Sequence, residues 1–211
     1  MILYIDTCYK VLNIALYENS KILSSYIVKL KNNMTDLTLK YVQKIFEDAK
    51  KDISLLSKVI AVNGPGSFTG IRIGLTIAKT IAFSLNIPII TISKLTTMAI
   101  SSDKEYKVSI ISARHSFIFA SIFRNNQIIF KEAYISQEEL NNKLKEINNY
   151  VYITYDDLSS QNKEIAKVNF EKVINYALNL KSTPVELVDA NYLKKTEAEE
   201  RNNKWKKMYI Y

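Results

Sequence analysis

SKVIAVNGPGSFTGIRIGLTIAKTIAFSLNIPIITIS, residues 57 to 93, carries the densest structural signal in the chain. Residues 57–63 form a short, nearly all-apolar run of the kind found in the middle of a sheet covered on both faces. NGPG follows as a tight turn: Pro65 fixes φ, and Gly64 and Gly66 open backbone conformations closed to other residues. Ser67 or Thr69 is placed to cap a helix that runs to Leu85, and IPIITIS (87–93) is another strand. All four glycines of the 211 residues lie here, at 64, 66, 70 and 74. Elsewhere the chain must turn on Asn, Asp and Ser.

The glycine spacing excludes several phosphate and nucleophile motifs. A P-loop needs Gly-Lys followed by Ser or Thr five residues after its first glycine, and no lysine stands there. A dinucleotide fingerprint needs a third glycine three residues after the second, whereas Gly70 follows Gly66 by four and the next strand carries no acid. A nucleophile elbow needs Gly-x-Ser-x-Gly, but Ser67 directly follows Gly66. The spacing does place Gly70, Gly74, Ala78 and Ala82 in one ribbon of minimal side chains along a helix face, flanked by Ile71, Leu75 and Ile81. Glycine in mid-helix costs about 1 kcal/mol relative to alanine, so Gly74 requires a compensating contact. Either the ribbon packs on its own sheet, or it admits a second helix, from residues 34–50 or from another protein. The helix N-terminus also offers an anion contact.

The rest of the chain extends the pattern in both directions. Residues 2–6, 11–19 and 22–30 alternate as strands, and Leu37, Tyr41, Ile45 and Phe46 recur at helical spacing behind candidate caps Asn32 and Asn33. A helix over about 94–102 closes this half. Strands are then expected at 106–112, 117–123 and 127–135, a helix capped by Ser136 over 136–147, a buried strand at 150–155 and a helix around 160–180. Three strands, helix, strand, helix thus occur twice, from residue 2 and from residue 106. Such a repeat of topology predicts an α/β fold of two similar lobes, 1–102 and 103–193. A last helix over 194–209, acids first and bases last, is expected to pack back on the first lobe.

Composition is that of an ordinary globular protein: 47% apolar and 24% charged, with a net charge of +8. MILYIDTCYK lacks the cationic start of a signal peptide, and no apolar run approaches the ~18 residues of a membrane span, so a cytoplasmic location is expected. A single cysteine, Cys8, excludes an internal disulfide and a cysteine zinc cluster. No Asp or Glu occurs between Asp52 and Asp103, while Lys58, Arg72, Lys79 and Lys94 do. The ordinary reading of that interval is a mostly buried segment; the sharper one is a positive surface facing a nucleotide or RNA.

Residues 63–93 closely resemble the central motif of the TsaB (YeaZ-like) family, Gcp-like proteins of tRNA threonylcarbamoyladenosine biosynthesis. ILYIDT at 2–7, SARHSFIFA at 112–120 and NYLKKTEAEE at 191–200 fall in that family's order. The resemblance implies an actin-like (ASKHA, hsp70-like) fold of two RNase-H-like lobes. It further implies a non-catalytic partner of the related enzyme TsaD, which transfers threonylcarbamoyl to adenosine 37 of tRNAs reading codons that begin with A. A TsaE-like ATPase joins that assembly, the tRNA is an indirect partner, and TsaB-like proteins dimerise with TsaD or with themselves through helices of the first lobe. On this reading Gly70, Ile71, Gly74, Leu75, Ala78 and Ala82, with Leu37 and Tyr41, form the partner interface. Bulk at Gly74 is then expected to abolish assembly while leaving the fold soluble. One departure is NNMTDL at 32–37, where the family commonly has a His-Ser-Glu-like start.

Two other functions compete. An independent ATPase or kinase of this fold would use Asp6 and Thr7, at the end of the first strand, for magnesium and nucleotide. However, neither this loop nor SARHSF in the second half has the glycine such phosphate loops use, which leaves weak ATP or ADP contact and no required cofactor. A metalloprotease would need partner ligands that the single histidine, His115, lacks. No metal site and no catalytic residue is therefore expected.

Overall fold

Strand β1 (Ile2–Asp6) pairs antiparallel with β2 (Val11–Glu18), Leu3 opposite Leu16, and parallel with β4 (Lys58–Val62), Leu3 opposite Val59. β3 (Lys21–Lys29) flanks β2 and β5 (Ile89–Ile92) flanks β4, so the first sheet runs β3-β2-β1-β4-β5. β6 (Tyr106–Ser112), β7 (Phe117–Arg124), β8 (Gln127–Ser136), β9 (Tyr150–Thr154) and β10 (Lys163–Ile165) repeat that order and those directions as β8-β7-β6-β9-β10. The expected duplication of RNase-H-like lobes is present, and the fold is the two-lobed actin-like (ASKHA) one. This computed structural model describes residues 1–29, 33–113, 116–157 and 162–194. The expected terminal helix over 194–209, Asn32 and His115 lie outside them, as does all of the tail beyond Lys194.

Burial follows the hydrophobic pattern. β1 and β2 are buried along nearly their whole length, and edge strand β3 alternates exposed and half-buried, as expected for one covered face. Helix α1 (Met34–Ala49) contributes Val42, Ile45 and Phe46 to the first core, and α2 (Phe68–Ser84) contributes Ile71, Leu75, Ala78 and Ala82. Asn33 does stand at the cap position of α1, but at φ 70 and without a side-chain hydrogen bond. Ser67 caps α2 by accepting from Gly70 N–H at 3.2 Å, and Ser136 caps α4 (Gln137–Leu144) through Glu139 N–H at 3.1 Å. Asparagine does the turning expected of it: Asn19, Asn33, Asn86, Asn125 and Asn149 all have positive φ, a conformation this side chain tolerates.

One expectation needs correction. The stretch around 160–180 is not one helix: β10 occupies Lys163–Ile165, and α5 spans only Phe170–Ala177. β10 is a three-residue edge strand with polar Lys163 and Glu164, too short to show a period. Helices are also exchanged across residue 102. Leu95 and Met98 of α3 (Lys94–Ile100) pack with Ile111, Val151 and Ile153 of the second sheet, whereas Val173, Ile174 and Ala177 of α5 join the first core. No helix among the described residues is long and apolar enough to cross a membrane.

Candidate functional site

The end of β1 is where the two lobes meet, and three glycines shape it. A Cβ on Gly66 would lie 2.0 Å from the Cys8 carbonyl oxygen, one on Gly70 2.1 Å from that of Thr7, and one on Gly74 2.3 Å from Thr7 Oγ1. Carbon and oxygen atoms do not approach so closely, so only glycine lets the turn and α2 lie directly on residues 7 and 8. Hydrogen bonds fasten the contact. Thr7 Oγ1 donates to the Gly70 carbonyl at 2.6 Å, and Ser67 N–H donates to the Cys8 carbonyl at 2.7 Å. Gly64, at φ 111, turns its carbonyl to accept from Lys94 N–H at 2.7 Å.

This cradle holds a buried ion pair. Asp6 is fully buried, and its Oδ2 accepts from Lys94 Nζ at 2.6 Å; the lysine is 1% exposed. Cys8 N–H and Asn13 Nδ2 also donate to the carboxylate, at 3.0 and 3.1 Å. From the second lobe Tyr155 OH accepts a further hydrogen bond from Lys94, at 2.9 Å, and its ring lies 4.7 Å beneath the ammonium. Burial opposes the lysine's charge, but attraction to Asp6 and the hydrogen bonds outweigh it and hold the pKa above the ordinary lysine range. Burial likewise pushes up the Tyr155 phenol and the Cys8 thiol, whose Sγ donates to the Val62 carbonyl. Cys8 therefore remains a protonated packing group.

A second bridge runs beside the first. Tyr9 stacks on Tyr155 with ring centroids 4.7 Å apart and donates to Asp156 Oδ1 at 2.7 Å. Asp156 Oδ2 accepts from Ser112 N–H at 2.7 Å. The Tyr9 phenol is pushed up to about 12, first by burial and then by Asp156. Asp156 is lowered, because the hydrogen bonds from Tyr9 and Ser112 overcome the effect of burial.

Several expected site residues are relocated by this geometry. Gly70, Ile71, Gly74, Leu75, Ala78 and Ala82 are buried inside the chain's own first lobe. Gly70 and Gly74 of the ribbon meet Thr7, and bulk at Gly74 would strike the molecule itself. Leu37 and Tyr41 are half-buried against the first core, Tyr41 packing on Tyr26 at 5.0 Å. The part of α2 that faces outward carries Phe68, Thr69, Arg72, Thr76, Thr80 and Phe83. Asp6 and Thr7 share one site as expected, but both are fully buried and spent on Lys94 and Gly70, so neither presents an atom to a nucleotide. Sequence reading missed Lys94, Tyr9, Tyr155 and Asp156. A signal existed for Lys94: a cation at the first residue of a helix opposes the helix dipole unless an acid elsewhere holds it.

With the fold and cradle in view, comparison with known proteins is informative. The family described as "TsaD: tRNA N6-adenosine threonylcarbamoyltransferase" matches residues 29–200. The chain is 43% identical over 98 residues to the tRNA threonylcarbamoyladenosine biosynthesis protein TsaB of Bacillus subtilis, an alignment covering 46% of this chain and 43% of that protein. It is 32% identical over 158 residues to TsaB of Buchnera aphidicola subsp. Acyrthosiphon pisum, covering 69% of this chain and 71% of the relative. Among solved structures, YeaZ from Pseudomonas aeruginosa superposes with a TM-score of 0.77 over 91% of this chain and 99% of that one. At 18% identity that likeness speaks for the fold.

Proposed function

The chain belongs to the TsaD family and, within it, to the TsaB proteins of tRNA threonylcarbamoyladenosine biosynthesis; from that premise we propose that it is a non-catalytic partner of a TsaD-like enzyme. In this role it makes the enzyme competent to transfer threonylcarbamoyl to adenosine 37 of tRNAs reading codons that begin with A. A TsaE-like ATPase is the third member, and a homodimer using the same face is the resting state. The chain works in the cytoplasm.

One observation carries the reading. The acid that ends β1, where a working member of this fold would bind its cation and phosphates, is occupied by the chain's own Lys94 at 2.6 Å and roofed by Tyr155. A buried pair of this kind resists opening, because separating it strands two desolvated charges. What the chain offers outward from the first lobe is instead the exposed stripe of α2 at Thr69, Arg72, Thr76 and Thr80, free of acids, together with Leu39 of α1. We assign the partner contact to that stripe, in place of the buried glycine ribbon.

Mixing the chain with its TsaD-like partner and measuring both mass and tRNA modification tests the proposal. The pair is expected to form a complex and modification to depend on it. Thr76→Glu with Thr80→Glu, both at exposed positions, is expected to weaken association at least tenfold without lowering thermal stability. Modification that proceeds equally without this chain, or ATP turnover by this chain alone, would overturn the assignment.

A further inference from the structure

Exposed rings scattered singly over a surface need no explanation, but rings gathered with cations do. At the start of α2, Phe68 is 49% exposed and Tyr192 is 41% exposed. Their rings stack with centroids 5.2 Å apart, and the Arg72 guanidinium lies 3.8 Å over the Phe68 ring. Arg72 Nε also donates to Tyr192 OH at 3.0 Å. Two residues along, the Lys194 ammonium stands 5.6 Å from the centre of the Tyr134 ring on β8. Tyr134 in turn stacks at 4.8 Å on Phe117 of β7, which is 38% exposed. Residues two apart in a chain lie within about 7 Å. Tyr192 and Lys194 therefore join the rings of the first lobe to those of the second.

The charges in contact with these rings are both positive. Neither Arg72 nor Lys194 has a carboxylate partner among the described residues, and Arg72 spends only one of its five N–H groups on Tyr192. Two acids lie close in sequence, and each already accepts hydrogen bonds from the chain. Glu132 accepts from Ser93 Oγ and from Asn191 Nδ2, and Asp189 accepts from Ala190 N–H at 2.7 Å. An unpaired nucleic acid strand alternates flat bases with phosphates, and so engages both kinds of group on this surface.

We infer that this surface binds an unpaired stretch of RNA, whose bases stack on the exposed rings of Tyr192 and Phe117 and whose phosphates meet Arg72 and Lys194. The rings and cations call for a single strand; that it is RNA rests on the tRNA-modification role proposed above. The tRNA, expected as an indirect partner, is then touched directly by this chain. No single segment of sequence announces the site, because its residues come from positions 68, 72, 117, 134, 192 and 194 and meet only in the fold.

Fluorescence anisotropy of the full chain with a labelled single-stranded RNA of about 10 nucleotides tests this, with the same RNA as a duplex for comparison. The single strand is expected to bind more tightly than the duplex. Tyr192→Ala and Phe117→Ala are each expected to weaken it about fivefold or more, and Tyr192→Phe, which keeps the ring, to restore most of the loss. Phe83→Ala removes a still more exposed ring, 71% exposed at the far end of α2, and is expected to leave affinity unchanged. Lys194→Gln is expected to reduce the slope of log affinity against log salt by about 0.7, the share of one phosphate on a single strand. The two rings stand on different lobes, so either variant suffices if circular dichroism shows the other unfolded. The assay contains no TsaD-like enzyme, so its failure and that of the partner role are read separately. Absence of binding, a duplex bound as tightly as the single strand, or affinity unmoved by loss of the rings overturns the site.

Discussion

The glycines of α2 make a quantitative claim about Thr7. At Gly74 an added methyl meets Thr7 Oγ1 at 2.3 Å, and the next nearest atoms, Thr7 Cβ at 3.5 Å and Cγ2 at 3.8 Å, are ordinary contacts. At Gly70 the obstacle is the Thr7 carbonyl oxygen at 2.1 Å, which no side-chain change removes. Gly74→Ala gains about 1 kcal/mol of helix propensity and loses about 1–3 kcal/mol to overpacking. It is therefore expected to destabilise by up to about 2 kcal/mol. Thr7→Ala alone forfeits the hydrogen bond to the Gly70 carbonyl, about 1 kcal/mol. Combined with Thr7→Ala, Gly74→Ala is no longer obstructed, and the pair is expected to show a favourable coupling of about 1–3 kcal/mol. Gly70→Ala is expected to be the worse single change, and Thr7→Ala is not expected to rescue it. Urea unfolding followed by far-UV circular dichroism reads these as midpoint shifts at constant slope. Additive Thr7 and Gly74 effects, or equal rescue of both glycines, would refute the steric account of the cradle.

The interlobe ion pair makes further expectations. Lys94→Met leaves the Asp6 carboxylate buried and alone and is expected to cost about 3–5 kcal/mol, whereas Asp6→Asn with Lys94→Met recovers most of that loss; urea midpoints measure both. Lys94, Tyr155, Tyr9 and Cys8 all have raised pKa values in the fold. Each therefore contributes stability that is complete below its unfolded pKa and is lost as pH rises toward the folded value. Stability is expected to fall progressively above about pH 9, where unfolded thiol, phenol and amine release protons that the fold retains; denaturation at pH 7 and 10.5 checks the sign. Asp156 is shifted the other way, so its share is present at neutral pH and is lost as pH falls below about 4. Tyr9→Phe, which removes its hydrogen bond, is expected to shrink that acid-side loss.

Much of this architecture was legible in the residues. β4 announces itself as an apolar run and β2 as an alternating strand, and the repeated order of elements was enough for two lobes. β10 was not legible, because three residues with two charges carry no period, and its pairing with β9 is decided by backbone bonds. The site was half legible. A row of small residues tells which face of α2 must be approached closely, but identifies neither the approaching group nor its chain. Thr7 comes from 63 residues earlier than Gly70, and nothing in its own neighbourhood marks it as the object in that groove. Lys94 was hidden for a related reason: it stands in an interval without acids, and its counter-charge sits 88 residues away.

The exchange of α3 and α5 between lobes bears on how the chain is born. The first sheet is complete once Ile92 has been made, yet Val173, Ile174 and Ala177, which fill part of its core, follow some eighty residues later. At about 5–20 residues per second, the nascent amino-terminal half waits several seconds with that surface bare. A cut at residue 102 would part each sheet from a helix that packs on it, and the ribosome must deliver Ala177 before the first sheet acquires its final cover.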